Sequence, residues 1–207
     1  MRSRTILSLS AAALLGVAAL TGCSSDSKSS SSAPATPGAG PSAAAALADQ
    51  PFGAGCAAVP SDPANAGSFD AMAKVPVATA ASGNPVLSTL VKAVTAAGLG
   101  DSLNSSPHLT VFAPANDAFA KVPTDQLNAL LADKDKLTTV LTYHVLPEQL
   151  APDQLAGTHK TLQGTDLTVT GSGSTYTVNG NSMVICGNVQ TANATVYIVD
   201  TVLMPAS

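Results

Sequence analysis

The sequence predicts an α+β domain in which helices come first and a meander of strands follows. In the first half, apolar side chains recur at helical spacing; the clearest set is Val86, Leu87, Leu90, Val91 and Val94. In the second half, residues 161–203 hold short β-branched runs separated by Gly, Asn and Ser. The earlier strand 108–113 is available to pair with them. Helices followed by strands indicate α+β architecture, not alternating βαβ units.

Capping and breaking residues position the predicted helices. Pro76 should end or bend a helix that opens over 68–82. Asn84 and Pro85 suit the start of the next helix, because Asn is a good N-cap and Pro fits the first helical position. Gly98 and Gly100 should close that helix. Further short helices are expected at 101–103, 118–121, 123–131 and 133–141.

Turn residues separate the predicted strands. Gly171-Ser172-Gly173 and Asn179-Gly180 are hairpin signals. Strands are therefore expected at 161–162, 167–170, 176–178, 183–185 and 195–203. Asp200 interrupts the last of these, so we expect it to be a buried, hydrogen-bonded residue.

The N-terminus predicts export. Arg2 and Arg4 precede an apolar run from Ile6 to Leu20, which is typical of a signal peptide. The run is shorter than the roughly 20 residues that usually span a bilayer, so a retained transmembrane helix is the weaker interpretation. The sequence Leu-Thr-Gly-Cys that ends at Cys23 resembles a bacterial lipobox, whose cysteine receives a diacylglyceryl group. Plain secretion with nearby cleavage is the alternative.

Three regions follow from these boundaries: a lipoprotein signal peptide (1–22), a disordered tether (23–54) and a folded domain (55–207). The tether is rich in Ser, Ala, Pro and Gly, and such a segment cannot bury enough apolar area to offset its chain entropy. The expected location is the outer face of the cell membrane, held by the lipid, with shedding to the medium left open.

Charge argues against nucleic acid as a partner. Both arginines lie in the predicted signal peptide, which leaves 7 lysines against 13 acidic residues and a formal charge of −6. There is no tryptophan and no basic cluster, whereas nucleic-acid binding needs a positive footprint. A monomer that touches the membrane only through its lipid is expected.

Two cysteines remain if Cys23 carries the lipid. Cys56 and Cys186 lie near the two ends of the body, and an exported chain meets oxidising conditions. A disulfide would close a loop of about 130 residues, for which chain entropy predicts roughly 4–5 kcal/mol. A buried free pair and a redox couple are the alternatives.

Catalytic and metal-binding motifs are not found in the sequence. It contains no GxSxG, HExxH, CxxC or glycine-rich phosphate loop. His108 and His159 are predicted to be exposed connectors, and no cluster has the spacing of zinc ligands. Neither metal nor cofactor is expected. Acid–base chemistry between His144 and Asp200 would require hydrogen-bond reach beside a pocket, which nothing in their spacing demands.

Three stretches, taken in order, resemble the fasciclin domain: LTVFAPANDAF (109–119), LTYHVL (141–146) and VYIVDTVLMP (196–205). The resemblance covers roughly 68–205. The phrase ICGNVQTANATVYIVDTVLMP, with a cysteine upstream, is similar to the secreted and lipid-anchored fasciclin antigens of mycobacteria and related actinobacteria, which supports the Cys56–Cys186 pairing. Where the family commonly has a hydroxyl residue after the proline of the first block, this chain has Ala115; about 1 kcal/mol of capping is then either missing or supplied by Asn116.

The resemblance implies a single fasciclin-like domain, with helices packed on a twisted, mostly antiparallel β-sandwich or wedge. It also implies a non-enzymatic adhesion or interaction module whose partner is an extracellular or cell-envelope protein or glycan. The alternative is a carrier of an apolar ligand or glycan in a pocket of the same fold. The signature residues, as candidates for interaction, are Thr110, Phe112, Asn116, Asp117, Phe119, Tyr143, His144 and Asp200.

Overall fold

The computed structural model describes residues 50–205. The predicted signal peptide, the lipidation site Cys23 and almost all of the predicted tether lie outside these residues. Within the described part of the chain, no helix is both long and apolar enough to cross a membrane.

Seven α-helices occur in residues 50–205: α1 (Phe69–Met72), α2 (Val77–Gly83), α3 (Ser88–Ala97), α4 (Gly100–Ser105), α5 (Asn116–Ala120), α6 (Thr124–Ala132) and α7 (Lys134–Tyr143). Short 3₁₀ turns occupy Ala54–Ala58, Pro85–Leu87 and Pro152–Gln154. Pro76 separates α1 from α2, as predicted. Asn84 caps the 3₁₀ turn that leads into α3, and Gly98 ends α3 in the left-handed conformation with φ 70°.

The strands are β1 (Leu109–Pro114), β2 (Val145–Leu146), β3 (Gly157–Lys160), β4 (Asp166–Ser172), β5 (Thr175–Val178), β6 (Ser182–Gln190) and β7 (Ala194–Val199). In the described residues they form one seven-stranded sheet in the order β2-β1-β7-β6-β5-β4-β3. The pair β1–β7 is parallel and the other five pairs are antiparallel. The α+β class is therefore confirmed, while the sandwich or wedge arrangement stays a prediction.

The central strands β1 and β7 are buried on both faces. Val111 and Ile198 belong to a core that the helices cover. Phe112 and Tyr197 point the other way into a second core, shared with residues of β4 and β5 such as Val178. A parallel pair enclosed on both sides favours a continuous apolar run, which explains why neither strand shows a clean alternation of polar and apolar residues.

Two strand predictions need correction. The strand predicted at 161–162 lies at Gly157–Lys160, so His159 is part of a strand and not a connector. The strand predicted to run to Leu203 ends at Val199, because the chain bends at Asp200. In both cases, apolar or β-branched residues that follow a strand lie outside its hydrogen-bonded part.

The chain is fastened to β6 where the described residues begin. Phe52 exchanges backbone hydrogen bonds with Gly187, at 3.1 and 2.8 Å. A Cβ atom at Gly187 would collide with the Phe52 ring, so a larger residue here would force the ring to move. Cys56 and Cys186 form a disulfide beside this contact. Ordered contacts therefore begin ahead of residue 55, where the domain was predicted to start.

Candidate functional site

His144 follows α7 and is buried, with 2% of its surface exposed. Its Nε2 lies 3.0 Å from the backbone nitrogen of Leu203, which can only donate, so Nε2 must be an acceptor. Nδ1 therefore carries the proton and donates to the carbonyl of Val140 at 2.7 Å. Burial lowers the pKa of His144 to about 4, although the hydrogen bond to Val140 opposes this shift. The neutral ring joins α7 to the chain after β7.

Tyr143 makes a parallel connection to the strands. Its hydroxyl accepts a hydrogen bond from the Asn179 amide at 2.8 Å and lies 3.4 Å from the carbonyl oxygen of Asp166. Asn179 has φ 51° in the predicted Asn-Gly turn, and its side-chain oxygen accepts from the backbone of Thr168. The Tyr-His pair thus ties one helix end to the β4–β5 region of the sheet and to the chain that follows β7.

Three signature residues of the first block are buried. Thr110 is fully enclosed; its hydroxyl donates to the carbonyl of Glu148 at 2.7 Å and accepts from the backbone of Leu150 at 2.9 Å. Phe112 and Phe119 pack in the two cores. With Tyr143 and His144, five of the eight signature residues are interior, so in this conformation they support the surface and do not form it.

Asn116 holds the start of α3 by side-chain hydrogen bonds. Its side-chain oxygen accepts from the backbone of Thr89 at 2.9 Å, and its amide donates to the carbonyl of Pro85 at 2.8 Å. Because Asn116 is occupied in this way, it does not replace the missing cap at Ala115, which has no side-chain hydrogen bond. Of the two outcomes expected at this position, the structure has the missing cap and not its transfer to Asn116. Asp117, the next residue, is exposed.

Asp200 lies at the bend after β7, with 31% of its side chain exposed. The expectation of a buried strand residue was wrong, but the expected hydrogen bonds are present. Its carboxylate accepts from Lys121 Nζ at 2.9 Å, from the backbone of Met183 at 2.8 Å and from the Thr201 hydroxyl. Desolvation raises the pKa of Asp200, but these hydrogen bonds outweigh it and the net shift is downward.

The acid–base pair considered from the sequence is not assembled. The imidazole of His144 is committed to Val140 and Leu203, while the carboxylate of Asp200 is committed to Lys121, Met183 and Thr201. Neither group has a contact with the other. This arrangement gives both residues structural roles.

The remaining histidines do not form a metal site. His159 has 12% of its side chain exposed; its ring nitrogens lie 3.0 Å from Glu148 Oε1 and 3.0 Å from the carbonyl of Leu155. His108 lies 3.4 Å from Gln149 Oε1. In residues 50–205 no group of three or more His, Cys, Asp or Glu side chains is placed to hold a metal ion.

Sequence reasoning missed Asn193, between β6 and β7. Its amide donates to the carbonyls of Leu103 and Ser106, both at 2.7 Å, and its oxygen accepts from the backbone of Val77 at 2.9 Å. It therefore ties the start of α2 to the end of α4. No local signal could have found it, because an Asn before a strand is an ordinary turn residue and its partners are 87 to 116 residues away.

The family model of the fasciclin domain matches residues 85–205. The chain belongs to the fasciclin-domain family. It is 46% identical over 205 residues to the cell surface glycolipoprotein MPB83 of Mycobacterium bovis. The match covers 93% of this chain and 92% of that protein.

One further relative and one solved structure are also similar to this chain. The chain is 43% identical over 166 residues to the immunogenic protein MPB70 of Mycobacterium bovis, covering 77% of this chain and 85% of that protein. Among solved structures, it matches a FAS1 domain pair from the insect cell adhesion molecule fasciclin I with a TM-score of 0.55 and 17% identity. That match covers 65% of this chain and 52% of the domain pair, and it supports the fold alone.

Proposed function

We propose that this protein is a non-enzymatic, surface-anchored adhesion or interaction module of the bacterial cell envelope. The observation that carries the proposal is the 46% identity, over 93% of the chain, to a protein named a cell surface glycolipoprotein. The N-terminal features fit this role: a signal peptide would export the chain, Cys23 would carry the lipid, and residues 23–54 would separate the domain from the membrane.

The hydrogen bonding of the signature side chains favours a binding function over a catalytic one. The hydrogen-bonding groups of Thr110, Tyr143 and His144 are used to connect elements within the domain. A catalytic group must be free to contact substrate, whereas a binding domain needs a rigid frame that presents surface side chains. The internal hydrogen bonds of these blocks provide such a frame.

The exposed signature residues Asp117 and Asp200, with their neighbours Lys121 and Met183, define a candidate contact surface, which we call the α5–β7 surface. Asp117 and Lys121 are four residues apart at α5 and lie on one side of it. Lys121 pairs with Asp200, which in turn binds the backbone of Met183. Met183 is 50% exposed, and flexible methionines suit protein contact surfaces.

The test is capture of extracellular or cell-envelope protein or glycan by the purified full-length chain. The wild type should retain a partner, and the double variant Asp117→Asn, Met183→Ser should retain at least about tenfold less, because central contact residues carry most of the binding free energy. The matched control is Leu131→Ser, which removes an apolar side chain 38% exposed on α6.

Two results would count against the proposal. If the double variant and Leu131→Ser lose partner capture equally, the α5–β7 surface is not the contact site. Failure of the wild type to capture any partner, together with turnover of a small molecule, would overturn the non-enzymatic function itself.

A further inference from the structure

A cavity of about 240 Å³ lies between α2, α3 and α4 and the face of β1 that these helices cover. Its lining is mainly apolar and includes Leu90, Val94, Leu103, Val111, Leu141 and Val145. It is partly open to solvent. Protein interiors hold few voids larger than one water molecule, whose share of liquid volume is about 30 Å³. A space several times larger is not an ordinary packing gap.

Polar side chains fix the walls of this cavity. Asn193 ties the start of α2 to the end of α4. Asn104 reinforces the same link, because its oxygen accepts from the backbone of Ala78 at 3.0 Å and its amide donates to Thr79 Oγ1 at 3.3 Å. Asn116 fixes the start of α3. The spacing of the three helices is thus set by directional hydrogen bonds at their ends, which keeps an apolar space between them.

Most polar side chains that line the cavity are hydrogen-bonded within the protein. The hydroxyls of Ser82 and Thr95 donate to the carbonyls of Thr79 and Val91. Both ring nitrogens of His144 have backbone partners. Among the described lining residues, Asp101 is the one charged side chain, and it is exposed at the start of α4. The lining therefore has little to offer a ligand that needs several hydrogen bonds.

We propose that this cavity binds a neutral apolar molecule, such as the hydrocarbon end of an uncharged lipid. An apolar cavity of about 150 Å³ stays dry and takes up benzene, so this one has room for an alkyl chain of about eight carbons. Asp101 disfavours a carboxylate head group, because like charges repel at the rim. A glycan is disfavoured because its hydroxyls would lose water without gaining partners. This site is independent of the proposed adhesion surface.

The probes are 1-octanol and octanoate, which share a chain length and differ in charge. Each is titrated into the full-length protein while methyl resonances are followed by NMR. Octanol should shift the methyl signals of Val94, Leu103 and Val111. Octanoate should bind about threefold more weakly, as expected for one unit charge acting at the solvent-exposed rim.

Three variants test the location and the charge preference. Val94→Phe places a ring in the cavity and should weaken octanol binding at least about tenfold, since filled space excludes the chain. Ala96→Phe adds the same ring to the exposed face of α3 and should leave binding unchanged. Asp101→Asn should strengthen octanoate binding and leave octanol binding unchanged, because it removes the like charge at the rim.

Contrary results would overturn either the location of the site or the preference for a neutral ligand. No octanol shifts in the wild type, or equal binding by Val94→Phe, would show that the cavity is not the site. If octanoate binds the wild type as tightly as octanol, the preference for a neutral ligand is wrong. Because Asp101 is exposed, its variant remains informative even where Val94→Phe fails to fold.

Discussion

His144 shows how one residue can look catalytic in sequence and be structural in the fold. A histidine among apolar neighbours is compatible with a general base, a metal ligand or a buried connection. The structure supplies a backbone acceptor to one ring nitrogen and a backbone donor to the other. This environment matches the neutral ring and no other form, since a protonated ring would face the Leu203 N–H with a second donor.

The stability of the protein should therefore fall as acid is added, through His144. The folded pKa of about 4 lies below the ordinary value of 6.5, so between these pH values the unfolded chain takes up a proton that the folded chain does not. The contribution of His144 to the free energy of unfolding is fully present above pH 6.5. It is lost as the pH falls to 4, and the total loss is about 3 kcal/mol.

Denaturant unfolding of the wild type and His144→Gln at pH 7.5, 5.5 and 4.5 measures this effect. At pH 7.5 the variant should be less stable by about 1–3 kcal/mol, because buried groups lose their partner. The two stabilities should converge as pH falls. The control His108→Asn, at an exposed position with φ 57°, should change the free energy of unfolding at pH 7.5 by less than about 0.5 kcal/mol. Parallel curves for His144→Gln would contradict the assignment.

At the scale of elements, asparagine side chains help to position the helices in addition to apolar packing. Asn116 fixes the start of α3, and Asn193 connects α2 with α4. These contacts join segments that are far apart in sequence. Each asparagine offers both a donor and an acceptor, which suits it to bridge a free carbonyl at one helix end and a free N–H at another.

Replacing Asn193 should loosen two helices at once. Asn193→Ala leaves the carbonyls of Leu103 and Ser106 and the N–H of Val77 without this partner, and should cost about 2–4 kcal/mol. Asn193→Asp should cost more, because a carboxylate would face two carbonyl oxygens. Denaturant unfolding gives the free energies, and hydrogen exchange should show faster opening of α2 and α4.

The control for Asn193 is Asn128→Ala, on the exposed side of α6. It should change the free energy of unfolding by less than about 0.5 kcal/mol, as is usual for surface positions. Equal effects at the two positions would show that the Asn193 hydrogen bonds do not hold the helices together.

The sequence was most informative where the signal is local. Pro76, Asn84 and Gly98 each determine a helix end through their own backbone chemistry, and Asn179-Gly180 determines a hairpin in the same way. The order of the strands, the parallel pairing of β1 with β7 and the bridge made by Asn193 depend on partners distant in sequence, which periodicity does not encode. The burial of most signature residues was equally invisible, because a motif records which residues occur and not which way they face.

At the scale of the whole molecule, the Cys56–Cys186 disulfide joins residues 130 positions apart. The pairing expected from export and from the family resemblance is present in the structure. Since it shortens the unfolded chain by a long loop, its main contribution falls on the unfolded state and not on any single contact in the folded one.

Removing this bridge should destabilise the domain without changing its fold. The double variant Cys56→Ser, Cys186→Ser is expected to lose about 4–5 kcal/mol relative to the oxidised wild type, as chain entropy predicts for this loop length. Guanidinium unfolding measures the loss, and the wild type with reducing agent should match the double variant. Equal stability of oxidised and reduced wild type would show that the loop constraint contributes little.

The same bridge determines how tension would travel through the molecule. When the two chain ends are pulled apart, force that enters ahead of Gln50 reaches β6 directly, through Cys56 and Cys186, and continues to the C-terminal strand. The cysteines are 130 positions apart, and the residues between them stay out of the loaded path. At about 3.5 Å per extended residue, roughly 450 Å of chain is withheld from stretching. Most of the fold in residues 50–205 therefore lies outside the covalent path that carries the pull.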